Sequence, residues 1–385
     1  MKTSLARGGP SLVFAALTLA FAAALALAQD VPPPDAPAPP GPPVAPAPAA
    51  PPAPAVSIVF LDGDAARLAL LDDAAEPYFD RLSPLEMHAK TGRPMPQGAP
   101  EAQLAELRTR YAQAVEAFTD AEKAAITRVV GRIQPLLLRD YPLVAEVSPW
   151  RFLKLGPGAE FGLAHTRGTV IVIPARTLAR LTELEANPRG GFSMDMALGG
   201  LLLHERLHVV QRARAAPFGD LYANVWGFRQ AQPEDPSGQL AARRVVNPDA
   251  TDVGWVFPME NEETGERRWI WPRVLLEPGD EEPSVRSMRS VGVELEKRGA
   301  GFIVKLDEKG RPLTKPLDDL PDYTRHFAAV RDLYHPHEIA ASLFSRIVIF
   351  DDLMPQGLLP PHQRKALEVR YAPIRAWFRE HLKSQ

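Results

Sequence analysis

The 385-residue chain contains no cysteine. This absence excludes disulfides, thiolate catalysis, cysteine-ligated metal sites and attachment of a lipid to a processed cysteine. The folded part must therefore obtain its stability from side-chain packing or from a bound metal.

The chain also lacks a large excess of charge, with 44 basic and 47 acidic residues. Once the N-terminal Lys2 and Arg7 are set aside, 42 basic residues remain and the net charge is near −5. This balance predicts no nucleic-acid partner and no attraction to an anionic membrane surface. Trp255, Trp269 and Trp271 lie near several arginines, but hairpin packing explains them better than a nucleic-acid platform does.

Long apolar runs are confined to the N-terminus. Lys2 and Arg7 precede an almost wholly apolar stretch at 11–28 that ends in a small-x-small site before Gln29. This pattern is typical of a secretory signal peptide at 1–28, cleaved after Ala28, and it predicts an exported protein, periplasmic or secreted. The alternative is an uncleaved anchor, which is the only membrane association we expect.

Residues 29–55 form a proline- and alanine-rich linker, with 13 prolines between positions 31 and 54. Such a composition favours an extended polyproline spacer, and a ligand for a proline-reading partner is the alternative. The sequence therefore predicts three parts: the signal peptide, the linker and one folded domain at 56–385.

The folded part combines helical and strand patterns. Thr119 and Ser193 are the expected N-caps of two of its helices. Helices are predicted at 101–119, 120–140, 194–214, 337–349 and 362–383, strands at 151–155 and 169–173, and hairpins and loops at 243–310. This order predicts the α+β class.

One motif carries chemistry. His204 and His208 lie four residues apart in the segment His204-Glu205-Arg206-Leu207-His208, inside a predicted helix. Residues at this spacing share one helix face, so both imidazoles can bind one Zn²⁺. Glu205 lies beside that position, where it can accept a proton from metal-bound water. Two buried structural histidines are the alternative interpretation.

A second segment, residues 334–342, reads Tyr-His-Pro-His-Glu-Ile-Ala-Ala-Ser. Pro336 is suited to open a helix, which would place Glu338 in the first turn. Together with His204, Glu205 and His208, this segment resembles the gluzincin branch of zinc metallopeptidases, over about 40 residues. The resemblance implies a zincin-like domain with an active-site helix, a small mixed sheet and an inserted β-rich segment.

The same resemblance implies Glu338 as the third zinc ligand. A third histidine directly after the motif is excluded, because residues 209–216 contain none. His335, His337 and Asp249 are alternative ligands of types that zinc accepts. Two features depart from gluzincins: 130 residues separate His208 from Glu338, and Ser342 occupies the position where many of them carry an aspartate that orients the first histidine.

The resemblance also implies supporting residues. Tyr334 is the favoured donor to the oxyanion, with His335, Tyr323 and His326 as alternatives. Residues 165–173 would form the strand that borders the substrate cleft, or else an ordinary core strand.

The expected function is zinc-dependent hydrolysis of a peptide or protein substrate, with Zn²⁺ as the cofactor. A non-catalytic binding or scaffold domain on a zincin fold is the main alternative, and a purely structural protein with a fortuitous motif is the second. The sequence does not indicate which oligomeric state the protein has.

Overall fold

A computed structural model describes residues 56–383, apart from 75, 186–189, 251–253, 261–264, 266, 328–329, 331 and 355–356. The predicted signal peptide and the linker up to residue 55 lie outside the described residues. Among the described residues, no helix combines the length and the apolar character needed to cross a bilayer.

Helices account for most of the regular structure. The α-helices are α1 (Gly63–Leu71), α2 (Pro84–Thr91), α3 (Pro100–Gln113), α4 (Asp120–Asp140), α5 (Pro142–Glu146), α6 (Ala175–Glu185), α7 (Gly190–Ala213), α8 (Ala215–Asp220), α9 (Gln239–Arg243), α10 (Pro321–His326), α11 (Pro336–Val348) and α12 (Pro361–His381). The chain is therefore a mixture of helix and sheet, which confirms the α+β class.

A mixed five-stranded sheet lies in the N-terminal half. Its strands are β1 (Ile58–Leu61), β2 (Val115–Glu116), β3 (Trp150–Leu155), β4 (His165–Arg167) and β5 (Val170–Pro174). The order is β1-β3-β5-β4, with β1 and β5 parallel to β3 and with β4 antiparallel to β5. Strand β2 pairs with the end of β3. The short strand β4 is thus an edge strand.

Both faces of this sheet are covered. Phe152 and Ile171 point into the larger core, whereas Leu153 and Val172 point into a second core that includes residues of α1 and α3. Successive side chains of a strand alternate between faces, so strands covered on both sides become continuous apolar runs. This explains why β5 reads Val-Ile-Val-Ile-Pro.

An antiparallel sheet is formed between α7 and α11 in the chain. Its strands are β6 (Arg229–Gln230), β7 (Trp255–Glu260), β8 (Arg267–Leu276), β9 (Met288–Arg298), β10 (Gly301–Val304) and β11 (Thr314–Pro316). The order is β10-β9-β8-β7-β6, and β11 also pairs with β9. This sheet accounts for much of the long separation between His208 and Glu338.

Helix α7 runs through the larger core and packs against α4, α6 and α11. Leu202, Leu203 and Leu207 of this helix are fully buried. The helix is apolar on most of its surface because neighbouring elements surround it. Five polar side chains in its C-terminal half are therefore held in a dry environment: His204, Glu205, Arg206, His208 and Gln211.

Local signals located several element ends correctly. Thr119 accepts a hydrogen bond from the amide of Glu122 at 3.2 Å, and the Glu122 carboxylate accepts one from the amide of Thr119 at 2.7 Å, so α4 begins where predicted. Three expectations were wrong. The single strand expected at 165–173 is two antiparallel strands, β4 and β5, with a turn between them. Helix α3 ends at Gln113 because the chain turns into β2, and α7 begins at Gly190, so Ser193 lies inside the helix and is not its N-cap.

Candidate metal centre

Helix α7 presents His204 and His208 on one face. Their ring centroids are 4.8 Å apart, and their Nε2 atoms are separated by 3.1 Å. Both side chains are buried, and His208 is completely inaccessible to solvent. The four-residue spacing therefore brings two nitrogen donors to one point inside the protein.

Arg206 points away from this pair and fixes the rotation of α7. Its fully buried guanidinium donates to the carbonyls of Val144 at 2.9 Å, Ala145 at 3.2 Å and Ser148 at 2.6 Å. It also stacks over the ring of Trp150. Burial lowers the pKa of Arg206 to about 10, so the side chain remains charged at neutral pH. These bonds hold the histidine face of α7 toward α11.

Helix α11 brings a carboxylate to the two histidines. Pro336 occupies its first turn, and the Nδ1 atom of its N-cap His335 accepts a hydrogen bond from the amide of His337 at 3.2 Å. Glu338 then lies in the first turn, with Oε2 3.2 Å from Nε2 of His204 and Oε1 3.6 Å from Nε2 of His208.

These separations match the edges of a zinc coordination sphere. Ligands 2.0–2.1 Å from a tetrahedral zinc lie roughly 3.3–3.4 Å from one another. The two histidine Nε2 atoms lie 3.1 Å apart, and they lie 3.2 and 3.6 Å from the two different oxygens of the Glu338 carboxylate. The described residues also place these three as a cluster of buried groups that could hold a metal ion. The geometry of the donor set therefore fits zinc.

The other ring nitrogen of His204 has its own partner. Nδ1 lies 3.5 Å from the hydroxyl of Ser342, which in turn donates to the carboxylate of Asp332 at 2.8 Å. Because the hydroxyl proton goes to Asp332, the serine oxygen is left to accept a proton from Nδ1. Asp332 thus acts on His204 through the residue that replaces the expected aspartate.

His208 is oriented in the same way by an amide. Its Nδ1 lies 2.7 Å from the side-chain oxygen of Gln211, one turn further along α7. The Gln211 nitrogen donates to the hydroxyl of Tyr222 and to the carbonyl of His337, both at 3.0 Å. With Nδ1 as the donor on both histidines, each Nε2 keeps its lone pair for the shared point.

Without a bound metal, the two histidines differ in their proton affinity. Burial lowers the pKa of His204, but the hydrogen bond and charge of Glu338 outweigh it and raise this pKa to about 9. Burial lowers the pKa of His208 to about 3, because the nearby charge of Glu338 only partly offsets it. A cation of some kind, a proton or a metal, is thus favoured between His204 and Glu338.

Glu205 lies beside the donor set and not within it. Its Oε2 atom is buried and has no hydrogen-bond partner within the described part of the chain. Burial raises its pKa well above the ordinary range, and the neighbouring Asp249 carboxylate raises it further. An unsatisfied carboxyl group is costly to bury, which indicates a group kept for a ligand or a reaction.

The rival metal ligands have other surroundings. His335 caps α11, and the ring of His337 packs on Tyr222 at 5.1 Å, so neither joins the donor set. Asp249 forms a second cluster with Glu205 and His208. Its Oδ1 accepts from the amide of Thr166 at 2.8 Å and from the hydroxyl of the same residue.

Of the oxyanion candidates, Tyr334 is buried and close enough to the carboxyl groups of the site to respond to their charges. Burial raises its pKa well above the ordinary value, and the charges of Glu338, Asp332, Asp249 and Glu205 raise it further. The hydroxyl of Tyr323 instead donates to the carbonyl of Leu333. The ring of His326 packs on Phe257 and Phe327, in an aromatic cluster that Tyr323 shares.

Several residues of the site escaped the sequence interpretation. Asn247 donates to Oε1 of Glu338 at 2.7 Å, and Arg212 donates to the carbonyl of Pro248 at 2.7 Å. Thr166 and Asp332 had no local pattern that would distinguish them from other polar residues. Only Gln211 had a signal, since it follows His208 by three residues on the same helix.

No protein-family model, no curated protein and no solved structure matches this chain.

Proposed function

We propose that this chain is an exported zinc-dependent hydrolase that cleaves peptide bonds. The observation that carries the proposal is the convergence of two imidazole nitrogens and one carboxylate, 3.1–3.6 Å apart, with both histidines oriented by partners on their far nitrogens. The resemblance of the motif to gluzincins supports the choice of peptide bonds and of a zincin-like domain. The leader pattern at 1–28 supports export.

His204, His208 and Glu338 would hold the metal, which leaves one position open for water or substrate. When bound, zinc supplies Lewis acidity toward water and toward the scissile carbonyl. The charge balance supports this assignment, because burial raises the pKa values of both Glu205 and Asp332. A divalent cation would offset such a concentration of buried carboxyl groups.

Glu205 would act as the general base. It would take a proton from the attacking water and pass it to the amine that leaves. Its position one residue past His204 turns it about 100° around the helix, beside the metal position. Tyr334 would stabilise the negative charge that develops on the carbonyl oxygen.

A non-catalytic zinc-binding or scaffold domain is the second candidate function. The closure of the site supports it: Tyr334, the most exposed of the five proposed site residues, has only 8% of its surface accessible. A substrate carbonyl cannot reach the metal position without some movement of the covering residues.

Metal content separates these candidates from a purely structural protein. The purified domain should carry about one zinc per chain, measured by mass spectrometry of the metal. His204→Ala, His208→Ala and Glu338→Ala should each lose most of it. The exposed His362→Ala and Glu380→Ala serve as controls and should keep it. Full zinc content in all three site variants would refute the assignment.

Hydrolysis separates the enzyme from the scaffold. Glu205→Gln keeps the size of the side chain but cannot accept a proton at neutral pH. Zinc content should survive, while cleavage of a peptide library should fall by at least about 100-fold. A wild-type protein that binds zinc but cleaves no peptide would favour the scaffold.

A further inference from the structure

Residues 247–249, Asn-Pro-Asp, lie between the candidate metal centre and the edge strand β4, and we name this segment the strap. Asn247 donates to the carboxylate of Glu338 at 2.7 Å. At the other end, the carboxylate of Asp249 belongs to a cluster with Glu205 and His208. The strap therefore bonds to the proposed metal-binding carboxylate, and it places the Asp249 carboxylate within 4.8 Å of the proposed base and of one histidine.

The strap is also bonded to the edge strand β4. Asp249 accepts the amide of Thr166 at 2.8 Å, and Arg212 donates to the Thr166 carbonyl at 3.4 Å. The same guanidinium donates to the carbonyl of Pro248 at 2.7 Å. An extended peptide that added to β4 would need these same backbone groups of Thr166. In the present structure they are already used.

Val246, the residue before the strap, is held in place by two buried side chains. The amide of Val246 donates to Glu86 at 2.6 Å, and its carbonyl accepts from Lys90 at 2.9 Å. Both of these charged side chains are buried, and Lys90 also lies 3.0 Å from Glu160. Val246 is thus held by buried groups of the core, and the strap begins directly after it.

We infer that the strap is a built-in inhibitory segment: it covers the metal centre and occupies the substrate edge of β4, and the enzyme works only when the strap is displaced. The inference rests on the proposed hydrolase function. One displacement would expose the metal and free the Thr166 backbone together, so an extended peptide that pairs with β4 is the chemical class able to compete with the strap.

The exchange of zinc tests the cover directly. A cover slows the entry and the exit of zinc alike, whereas a ligand slows only the exit. Asp249→Ala should therefore accelerate both zinc uptake by metal-free protein and zinc loss to EDTA by about tenfold, the scale of one lost charged hydrogen bond. The dissociation constant should change by less than about threefold.

Matched variants complete this measurement. Thr166→Val, which removes the hydroxyl bonded to Asp249, should accelerate both rates to a smaller extent. Asp235→Ala and Thr182→Val lose comparable local hydrogen bonds elsewhere and should leave both rates unchanged. Faster release of zinc with a weaker dissociation constant would make Asp249 a ligand and overturn the inference, as would unchanged rates.

Two further readouts keep failure of the strap distinct from failure of the hydrolase. If the strap inhibits, Asp249→Ala should raise kcat/KM for peptide cleavage. The additional substitution Glu205→Gln should abolish this gain. If the wild type cleaves peptides and Asp249→Ala brings no gain, the inference is overturned. If the protein binds no zinc, the proposed function fails. Hydrogen exchange of the Thr166 amide in metal-free protein still tests whether the strap moves. Asn247→Ala, at the opposite end of the strap, should speed that exchange, and unchanged protection would show that the strap does not move as a unit.

Discussion

At the scale of single residues, the candidate site depends on what each histidine does with its second nitrogen. His204 reaches Asp332 through the hydroxyl of Ser342, and His208 reaches Tyr222 through Gln211. Such partners fix the ring orientation and the tautomer that a metal requires. A serine at position 342 therefore does not leave His204 without a carboxylate, because a loop residue supplies one.

This arrangement predicts the effect of two substitutions. Ser342→Ala and Asp332→Asn should each weaken zinc binding about 10- to 100-fold, because His204 loses its oriented partner. Competition with a fluorescent zinc chelator measures the change. Ser345→Ala, on the same helix and also buried, removes a hydroxyl that donates to the carbonyl of Ser342 and should have little effect. Equal losses in all three would indicate a general disturbance of α11.

A buried charge network below the strap has its own pH dependence. Lys90 lies between the carboxyl groups of Glu160 and Glu86, so one cation faces two acids. The pKa of Glu160 is lowered: its burial raises it, but Lys90, His165 and the hydroxyls of Tyr78 and Tyr111 outweigh this effect. Burial raises the pKa of Glu86 from 4.5 to about 7, although Lys90 opposes the change.

Because the pKa of Glu86 is raised in the folded state, the stability of the protein should decrease as the pH rises. The folded protein holds a proton that the unfolded chain has released, so this contribution is complete below pH 4.5 and is lost as pH rises through about 7. Between pH 5 and pH 8, the free energy of unfolding of the wild type should fall by up to roughly 3 kcal/mol relative to that of Glu86→Gln. Urea denaturation of metal-free protein at both pH values measures the difference. The exposed Glu380→Gln should show no such trend. If the stability difference between wild type and Glu86→Gln did not change with pH, the raised pKa of Glu86 would be wrong.

At the scale of elements, local backbone chemistry determines where helices and strands can accept a side chain. Gly131 lies inside α4, and a methyl group added there would meet no atom within 4 Å. Gly254 precedes β7, and the same methyl group would lie 2.1 Å from the carbonyl oxygen of Ala231. One glycine is thus dispensable, while the other permits a close approach of two backbones.

Replacing each of the two glycines by alanine should change the stability of the protein in opposite directions. Gly131→Ala should stabilise the protein by about 0.5–1 kcal/mol, because glycine loses more conformational entropy in a helix. Gly254→Ala should destabilise it by about 1–3 kcal/mol, the usual cost of forcing an extra group into a packed site. Chemical denaturation measures both changes. A gain in stability for Gly254→Ala would show that its contact with Ala231 is not rigid, and a loss for Gly131→Ala would contradict the open space at that position.

At the scale of the whole molecule, the donor set joins parts of the chain that are far apart in sequence. His204 and Glu338 are separated by 134 positions, and the second sheet lies between them. The two elements meet because α7 and α11 share the larger apolar core. The fold therefore has ample packing of its own, and a metal would reinforce the contact between two helices without creating it.

Zinc should accordingly stabilise the domain without being required for folding. At free zinc of about 100 times the dissociation constant, the gain is about 2.7 kcal/mol, which raises the melting temperature by roughly 3–8 °C. Calorimetry of metal-free and zinc-loaded protein checks this, with His204→Ala as the variant that should show no shift. A metal-free protein without a cooperative transition would contradict the picture of an independent core.

The sequence by itself determined the features that depend on neighbours along the chain. The capping box of Thr119 and Glu122 set the start of α4, Pro336 set the start of α11, and the four-residue spacing put His204 and His208 on one face. The mixture of helix and sheet followed from the same local patterns. Each of these depends on interactions within one or two helical turns, and such interactions are readable from sequence.

Only the tertiary structure decided which distant residues surround the motif. It placed Glu338 against the histidines, and it brought Asp332, and Asn247 with Asp249, to them from two other segments. It also ended α3 early, where the chain turned to pair with β3. Polar side chains on loops have no periodicity, and burial is decided by packing across the whole chain, so no local pattern could identify these partners.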